Sequence, residues 1–417
     1  MNKRLVYLFA CSLVAAGPLV SCSNGNDASG TPAPAPAPTP TPTPSPAVPT
    51  LSRTVVMTGL QGGWDFAFAP DGQTIFFTER CRGLSVRLAN GTVVRLFGTT
   101  GSSLVAADLW CEGQSGMNGV AVDPAFASNR VVYVYMASNL SSPRTNRVIR
   151  LTISADMMSA SGRTDIIGDI AYKNVANGVG GAGAHSGGRL RFGPDGFLYV
   201  TTGDNHNPPL PQDLTRLGGK VLRVDGTGAA APGNNTPAGG DARIFTYGHR
   251  NVQGISFRPG TGQPFISEHG PNHSDEVTPL VAGGNGGWDP QNRPSLTCPD
   301  NYCGYAGNPT TMPMTDTTRF PNALRPSWNN NQTSQGTGPS VFLSGAQWKG
   351  WDGRLAVGIM GGQRLVILQL DGSGMATSAT DVSGIPAERY RSLVLGADGN
   401  LYILVENAGE IWRVVPS

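Results

Sequence analysis

Residues 185–220 read HSGGRLRFGPDGFLYVTTGDNHNPPLPQDLTRLGGK. Apolar residues alternate with polar or small ones through Leu190-Arg191-Phe192 and again through Leu198-Tyr199-Val200. That is the two-residue period of half-buried antiparallel strands. Pro194-Asp195-Gly196 between them is turn chemistry: proline presets φ, aspartate bonds nearby backbone and glycine accepts a positive φ. Strands are therefore expected over Arg189–Phe192 and Phe197–Thr202, joined as a hairpin. A hairpin brings its two ends together, so His185 ahead of the first strand and Asp204 after the second are expected to meet. All five histidines (His185, His206, His249, His269, His273) fall between residues 185 and 273, which marks this window as the candidate site.

The same unit of strand, Pro/Asp/Gly turn and apolar strand recurs along the chain. It is read at Trp64–Gly72 with Ile75–Thr78, around Asp123-Pro124 with Val131–Met136, and at Ile255–Pro259 with Phe265–Ser267. It returns at Leu393–Gly399 with Leu401–Val405, and Leu355–Ile359 with Arg364–Leu370 supplies another strand pair. Helical periodicity is almost absent. Units of a few short strands at roughly 50–70-residue spacing predict an all-β, six-bladed β-propeller. A large β-sandwich is the competing architecture, but it does not explain the repeating turn. The final strand, Glu410–Val414, is expected to join the first blade and close the ring. Asp71, Asp195 and Asp398, each in an Asp-Gly turn, are expected to be turn formers and not site residues.

The chain has 417 residues, but its start does not look like fold. Lys3 and Arg4 precede an apolar run, Leu5–Leu19, too short to span a bilayer and typical of a signal peptide. It ends in Leu19-Val20-Ser21-Cys22, a lipobox-like sequence, so residues 1–22 are read as a lipoprotein signal with Cys22 as the lipidated residue. Ser23 after the cysteine points to the outer membrane. Residues 23–50 are Pro-rich and form the expected linker, semi-rigid and coreless. The propeller is expected over residues 51–417, exported and held at the membrane only through Cys22, facing the periplasm or the cell surface. The net charge is +2 with no basic run, which argues against a nucleic-acid partner. Beyond Cys11 and Cys22 the cysteines are Cys81, Cys111, Cys298 and Cys303. An even number in an exported domain favours disulfides, and the absence of a Cys-x-x-Cys pair disfavours zinc. Cys298 with Cys303 is the easiest pairing and would leave Cys81 for Cys111, although spacing alone leaves the connectivity open.

The remaining polar residues gather in loops: Glu112–Gly116, Tyr247–Gly254, Ser267–Glu276 and Arg389–Arg391, beside the His185/Asp204 hairpin. Arg389 and Arg391 are separated by one residue and so share a strand face, and Arg250 adds a third cation. Guanidinium groups bind carboxylate or phosphate bidentately, so three around a pocket suit a polyanionic small molecule. A histidine oriented by a carboxylate is a candidate general base near neutral pH. His206, His249 and His273 are read as packed structural residues. Backbone carbonyls at Gly270-Pro271 suit an oxygen-seeking cation such as calcium.

Taken in order, the runs His-Ser-Gly-Gly-Arg-Leu at 185–190, Thr-Gly-Asp at 202–204, Tyr-Gly-His-Arg-Asn-Val-Gln-Gly at 247–254, Glu-His-Gly-Pro at 268–271 and Arg-Tyr-Arg at 389–391 form a signature. With them the chain resembles the soluble glucose/sorbosone dehydrogenases that depend on pyrroloquinoline quinone (PQQ), including bacterial aldose sugar dehydrogenases, over roughly residues 54 to 415. The resemblance implies a six-bladed propeller that oxidises an aldose at C1 to the lactone, with PQQ and calcium as cofactors and a separate electron acceptor. It implies that His185 is the general base and Asp204 its orienting partner. Gln114, Arg250, Asn251, Arg389 and Arg391 would then hold PQQ, and the carbonyls of Gly270 and Pro271 would ligate calcium. The chain departs from that pattern at Gly361, where family members often carry a cofactor-contacting lysine, and at Ala184, where glucose dehydrogenases have an acidic residue. Asn285–Pro339 matches nothing in the pattern and is expected to reshape the substrate mouth. Two other functions fit a propeller of this composition, a non-catalytic carbohydrate-binding domain and a calcium-dependent lactonase or hydrolase. The latter gives the three arginines no duty.

Overall fold

The computed structural model describes residues 47–174, 180–331 and 333–417. The signal sequence, Cys22 and most of the Pro-rich linker lie outside the described residues. Ala47–Thr50 do not float free of the domain: the Ala47 carbonyl accepts from the Gly350 N–H, and Thr50 and Ser417 exchange backbone hydrogen bonds of 3.0 and 2.9 Å.

Six antiparallel-strand sheets form the six blades of a β-propeller. Blade 1 holds Gly63–Phe68, Ile75–Glu79, Gly83–Arg87 and Val93–Gly98, with a short parallel edge at Leu104–Val105. Blade 2 holds Met117–Val122, Val131–Ser138, Thr145–Ile153 and Ala160–Ile170. Blade 3 runs Leu190–Phe192, Leu198–Thr201, Lys220–Val224 and Ile244–Tyr247, with Gly284–Asn285 at its edge. Blade 4 runs Val252–Phe257, Pro264–Glu268, Glu276–Pro279 and Trp328–Asn329. Thr337–Phe342, Leu355–Ile359, Arg364–Leu370 and Ala376–Asp381 make blade 5. Tyr390–Leu395, Leu401–Val405 and Glu410–Pro416 make blade 6, completed by Leu51–Met57.

The opening hairpin has the expected register, with Leu190 opposite Val200 and Phe192 opposite Leu198. Ring closure differs from expectation. Glu410–Pro416 stays in the last blade, and it is the first strand of the domain, Leu51–Met57, that pairs along it from Leu51↔Pro416 to Met57↔Ile411. Blade 1 already has its own full set of strands. Leu51–Met57 is largely exposed, as suits an outer edge and not an inner position. The short helix Phe126–Asn129 sits in the blade 2 turn that the Asp123-Pro124 pattern marked.

Because side chains alternate across each strand, every blade offers an apolar face to both neighbours. Phe76, Leu84 and Val86 of blade 1 meet Val132, Val134 and Ile149 of blade 2. Equivalent clusters fill every other junction round the ring, the last uniting Phe66 and Phe77 of blade 1 with Leu404 and Ile411 of blade 6. The Asp-Gly turns do structural work as expected. Asp195 accepts from the Phe197 N–H, the Tyr199 hydroxyl and Arg223 Nε, and Asp398 repeats the set with the Asn400 N–H, the Tyr402 hydroxyl and Arg413 Nε. Asp71 caps its turn through the N–H groups of Gln73 and Thr74.

At the hub, the fully buried Asp65 on the inner strand of blade 1 receives Arg189 at 2.5 Å and Arg191 at 2.8 Å from blade 3. It also accepts from Ser392 Oγ of blade 6 and the Val120 N–H of blade 2. Burial works to raise the Asp65 carboxyl, but Arg189 and Arg191 outweigh it and hold the group below the usual carboxylate range. Replacing Asp65 with Asn would strand two largely buried guanidinium groups. We expect a loss of about 3–5 kcal/mol, measured as a lowered midpoint of urea unfolding; a wild-type midpoint would show that the charge contributes nothing.

Candidate active site

The loops at one end of the hub enclose a cavity of about 520 Å³. Its walls include Gln114, His185, Arg250, Asn251, Gly270, Pro271, Arg389 and Arg391, so eight of the nine residues singled out from sequence line one space, and Asp204 stands directly behind His185. All five loops that were read as polar contribute to its lining.

His185 precedes the inner strand of blade 3 with a left-handed φ of +50°. Its Nδ1 lies 2.7 Å from Asp204 Oδ1. Gly203 allows the two ends of the hairpin to approach this closely: a Cβ there would lie 2.0 Å from the His185 carbonyl oxygen. The second Asp204 oxygen accepts from Trp288 Nε1 and the Tyr302 hydroxyl, both at 2.8 Å, and Oδ1 also accepts from the His206 N–H. Burial opposes the ionised Asp204, yet His185 and the surrounding donors and cations hold its carboxyl well below the ordinary range. An anionic Asp204 keeps a proton on His185 Nδ1, which leaves Nε2 as a lone pair facing the cavity. Burial first, and then the Arg250 guanidinium, push His185 down to about 4. The ring is therefore a neutral acceptor across the physiological range.

The opposite wall is cationic. Arg80, Arg250, Arg389 and Arg391 line the cavity, against Glu406 as the one carboxylate among its lining residues. Arg389 Nε and Arg391 Nε both donate to Glu406 Oε2, at 2.7 and 2.9 Å, which uses one edge of each guanidinium. The intervening Tyr390 turns away to pack on Trp412, as the one-residue spacing predicts. Arg250 is fixed by the carbonyls of His269 and Gly304, while its buried Nε has no hydrogen-bond partner among the described residues. Asn251 Oδ1 accepts from the Gly187 N–H and Gln253 Nε2. Gln114 Oε1 reaches the His185 N–H at 3.5 Å. The Gly270-Pro271 loop is braced from beneath by Asp275, which accepts from the Gly270 N–H and from Ser334, Gln335 and Thr337.

Sequence reasoning missed several residues that the fold brings in. Arg80 precedes Cys81, whose disulfide to Cys111 ties its loop to the one bearing Gln114, and Arg80 Nη1 also bonds the Gly113 carbonyl at 2.5 Å. The Cys81 pairing was the available pointer. The Asn285–Pro339 stretch supplies Trp288, Tyr302, Tyr305, Thr333 and Ser334 to the site or its backing. It is organised by its own small core of Trp288, Cys303, Met312 and Met314, and by the Cys298–Cys303 disulfide. His206 was read as structural, but its ring stands edge-on to His185 with centroids 4.0 Å apart, and Tyr305 bonds it at 2.9 Å. His249 does fill the structural role, held between Thr246 and Glu268. At Gly361 a Cβ would lie 2.6 Å from the Gln335 carbonyl, so the backbone of the incoming strand occupies the room that a lysine side chain would need.

Sequence and structure comparisons identify the family. The sequence profile of the Glucose / Sorbosone dehydrogenase family matches residues 60–413. The chain is 26% identical to the aldose sugar dehydrogenase YliI of Escherichia coli over 377 residues, covering 89% of this chain and 94% of the relative. It is 29% identical to quinoprotein glucose dehydrogenase B of Acinetobacter calcoaceticus over 317 residues, covering 69% of this chain and 60% of that one. A solved glucose dehydrogenase superposes with a TM-score of 0.73 at 26% identity, covering 88% of this chain and 99% of that structure. A buried His–Asp pair facing a wall of arginines at the hub of a six-bladed propeller is thus found in a chain that belongs to the glucose/sorbosone dehydrogenase family.

Proposed function

We propose that this domain is a PQQ- and calcium-dependent dehydrogenase that oxidises an aldose at C1 to the lactone, with His185 as the general base. The observation that carries this reading is the cavity's division into a neutral, Asp204-oriented imidazole on one side and four arginines against one carboxylate on the other. Such an excess of positive charge suits a tricarboxylate better than it suits a neutral sugar alone. The family membership and the quinoprotein name of the Acinetobacter relative support the same cofactor.

Arg250, Arg389, Arg391, Asn251 and Gln114 would hold PQQ, with Arg80 as an added cation on a wall where Gly361 offers none. The carbonyls of Gly270 and Pro271 would take calcium, a cation that prefers such oxygen ligands. When bound, the quinone would supply the two-electron oxidant and calcium the Lewis acid that polarises it. The protein's own part is positional and acid–base. His185 Nε2 accepts the C1 hydroxyl proton, and Asp204 stabilises the imidazolium that results and keeps the ring from turning. Burial of the His185–Asp204 pair and of Arg250 helps to keep water from competing. The lipobox and Pro-rich run support an enzyme tethered at the outer membrane through Cys22, passing electrons to an acceptor of unassigned identity.

The test mixes the domain with PQQ and calcium, titrates cofactor binding, and follows dye reduction over a panel of aldoses. Saturable PQQ binding with aldose-dependent dye reduction is expected. A folded, calcium-supplemented protein that takes up no PQQ would sink the proposal. His185→Ala is expected to lower kcat by roughly 10²–10⁴-fold while leaving the PQQ titration unchanged. Arg391→Gln should instead weaken PQQ by roughly 10–100-fold, since it removes a charge-assisted donor and leaves Glu406 to repel the anion.

The pH profile follows from the depressed His185. Only the neutral ring can accept a proton, and a folded value of about 4 keeps it neutral where an ordinary histidine would be charged. An anionic ligand in the cavity moves that value upward. The acid limb of kcat/KM is therefore expected to fall between about 4 and the ordinary histidine value of 6.5. A limb above 6.5 would show that the buried pair does not behave in this way.

A further inference from the structure

The hydroxyl of Tyr305 lies 3.4 Å from His185 Nε2 and 2.9 Å from His206 Nε2, and Lys173 Nζ lies 2.9 Å from His206 Nδ1. The donor inventory orders these contacts. An ammonium group donates and never accepts, so His206 accepts at Nδ1. Burial first, and then the neighbouring His185, push His206 far below the ordinary histidine range, so its ring is neutral. A neutral ring that accepts at Nδ1 carries its proton on Nε2 and donates it to the Tyr305 oxygen. The single proton of Tyr305 is then left to point at His185 Nε2, whose other nitrogen is committed to Asp204. The backbone holds this arrangement at some cost. Asn205 and His206 are consecutive left-handed residues at φ +50° and +53°, and a Cβ at Gly180 would lie only 1.8 Å from His206 Cε1. Strain of this kind persists where the surroundings over-determine it, and it clusters at functional sites.

We propose that Tyr305 is a second catalytic residue, its hydroxyl donating to the same substrate oxygen whose proton His185 accepts. This rests on the cavity being the sugar-oxidising site. A substrate hydroxyl bonded to His185 Nε2 displaces the Tyr305 proton from the nitrogen and receives it on its own lone pair. The oxygen is then held by one acceptor and one donor, which fixes its rotation and makes its proton more acidic. Tyr305 keeps its proton throughout: the hydroxyl proton passes to His185, the hydride leaves carbon for the oxidant, and the balance of the reaction is unchanged. His206 and Lys173 touch no substrate; they are positioning residues that act through Tyr305.

The groups facing His185 are Asp204, Arg250, His206, His269 and Tyr305. Of these, Tyr305 alone places a neutral donor on the lone pair, and such a donor favours the unprotonated ring. Removing it raises the proton affinity of His185. Two arms test the proposal. In the cofactor-free protein, ring-nitrogen NMR is expected to show His206 as the Nε2–H tautomer and His185 as the Nδ1–H tautomer. Lys173→Met should turn His206 toward Nδ1–H, Lys173→Arg should restore it, and Tyr305→Phe should raise the apparent pKa of His185. In the PQQ- and calcium-loaded protein, Tyr305→Phe is expected to lower kcat roughly 10–100-fold, to move the acid limb to higher pH and to leave the PQQ titration unchanged. An Nδ1–H tautomer of His206 in the wild-type protein, or a Tyr305→Phe enzyme with wild-type kcat and acid limb, would overturn it. A wild-type protein that binds PQQ but oxidises no aldose would remove the underlying reading instead, and the NMR arm would still report the order of donors.

Discussion

The carboxylate of Asp65 is the constraint on which the rest of the propeller depends. A ring of six blades has an axis where inner strands converge and where no apolar side chain can serve every strand at once. Here one buried anion ties four of the six together, joining blade 1 to Arg189 and Arg191 of blade 3, to Ser392 of blade 6 and to the Val120 N–H of blade 2. Arg189 extends the junction to the Gln253 carbonyl of blade 4 and the Arg391 carbonyl of blade 6, with Trp64 stacked on its guanidinium at 4.2 Å. Burial works to lower Arg189, and Asp65 beside it opposes that shift. A buried pair of this kind adds little net stability over an apolar plug, but losing one partner is costly. Its use is to specify which strands meet.

That junction reaches the cavity through Trp64, Gln253 and Arg391, which are among its lining residues. The Arg391 backbone is held by Arg189 from below while its side chain reaches Glu406 and Gln253 above. Arg391 therefore stands on the hub itself, which suits a preorganised anion site, while Arg80, Arg250 and Arg389 lie in the adjoining loops. The side around His185 is built differently. Trp288, Tyr302 and Tyr305 arrive on a long excursion between blades with its own core, its own disulfide and ion pairs such as Arg293–Asp316 at 2.9 Å. The aromatic residues around His185 thus come from the insertion, whereas His185, Asp204 and the arginines come from the blades and the loops that join them.

This division also explains what was legible in the sequence. The hairpins were readable because alternation and Asp-Gly turns are local properties, and the His185–Asp204 meeting followed because a hairpin converts short sequence separation into proximity. Arg389 and Arg391 were readable from strand periodicity. Ring closure was misassigned because pairing of Leu51–Met57 with Glu410–Pro416 spans almost the whole domain, and no local pattern says which blade an edge strand completes. Tyr305 and His206 were not recognised because their roles exist only once the insertion folds back over blade 3. Gly361 reads as a loss in sequence; in the structure the Gln335 backbone fills its place, and Arg80 of blade 1 brings a cation to the same cavity.

The two halves of the cavity are coupled through charge. Arg250 faces both of them: it is a cation of the anion-binding wall, and after burial it is the largest influence pushing His185 downward. With the arginines uncompensated, His185 is a weak base. Neutralising Arg250 with a bound carboxylate relieves that push and strengthens the base, and by linkage a protonated His185 favours the bound anion in turn. If the bound anion is the cofactor proposed above, base strength and cofactor occupancy rise together.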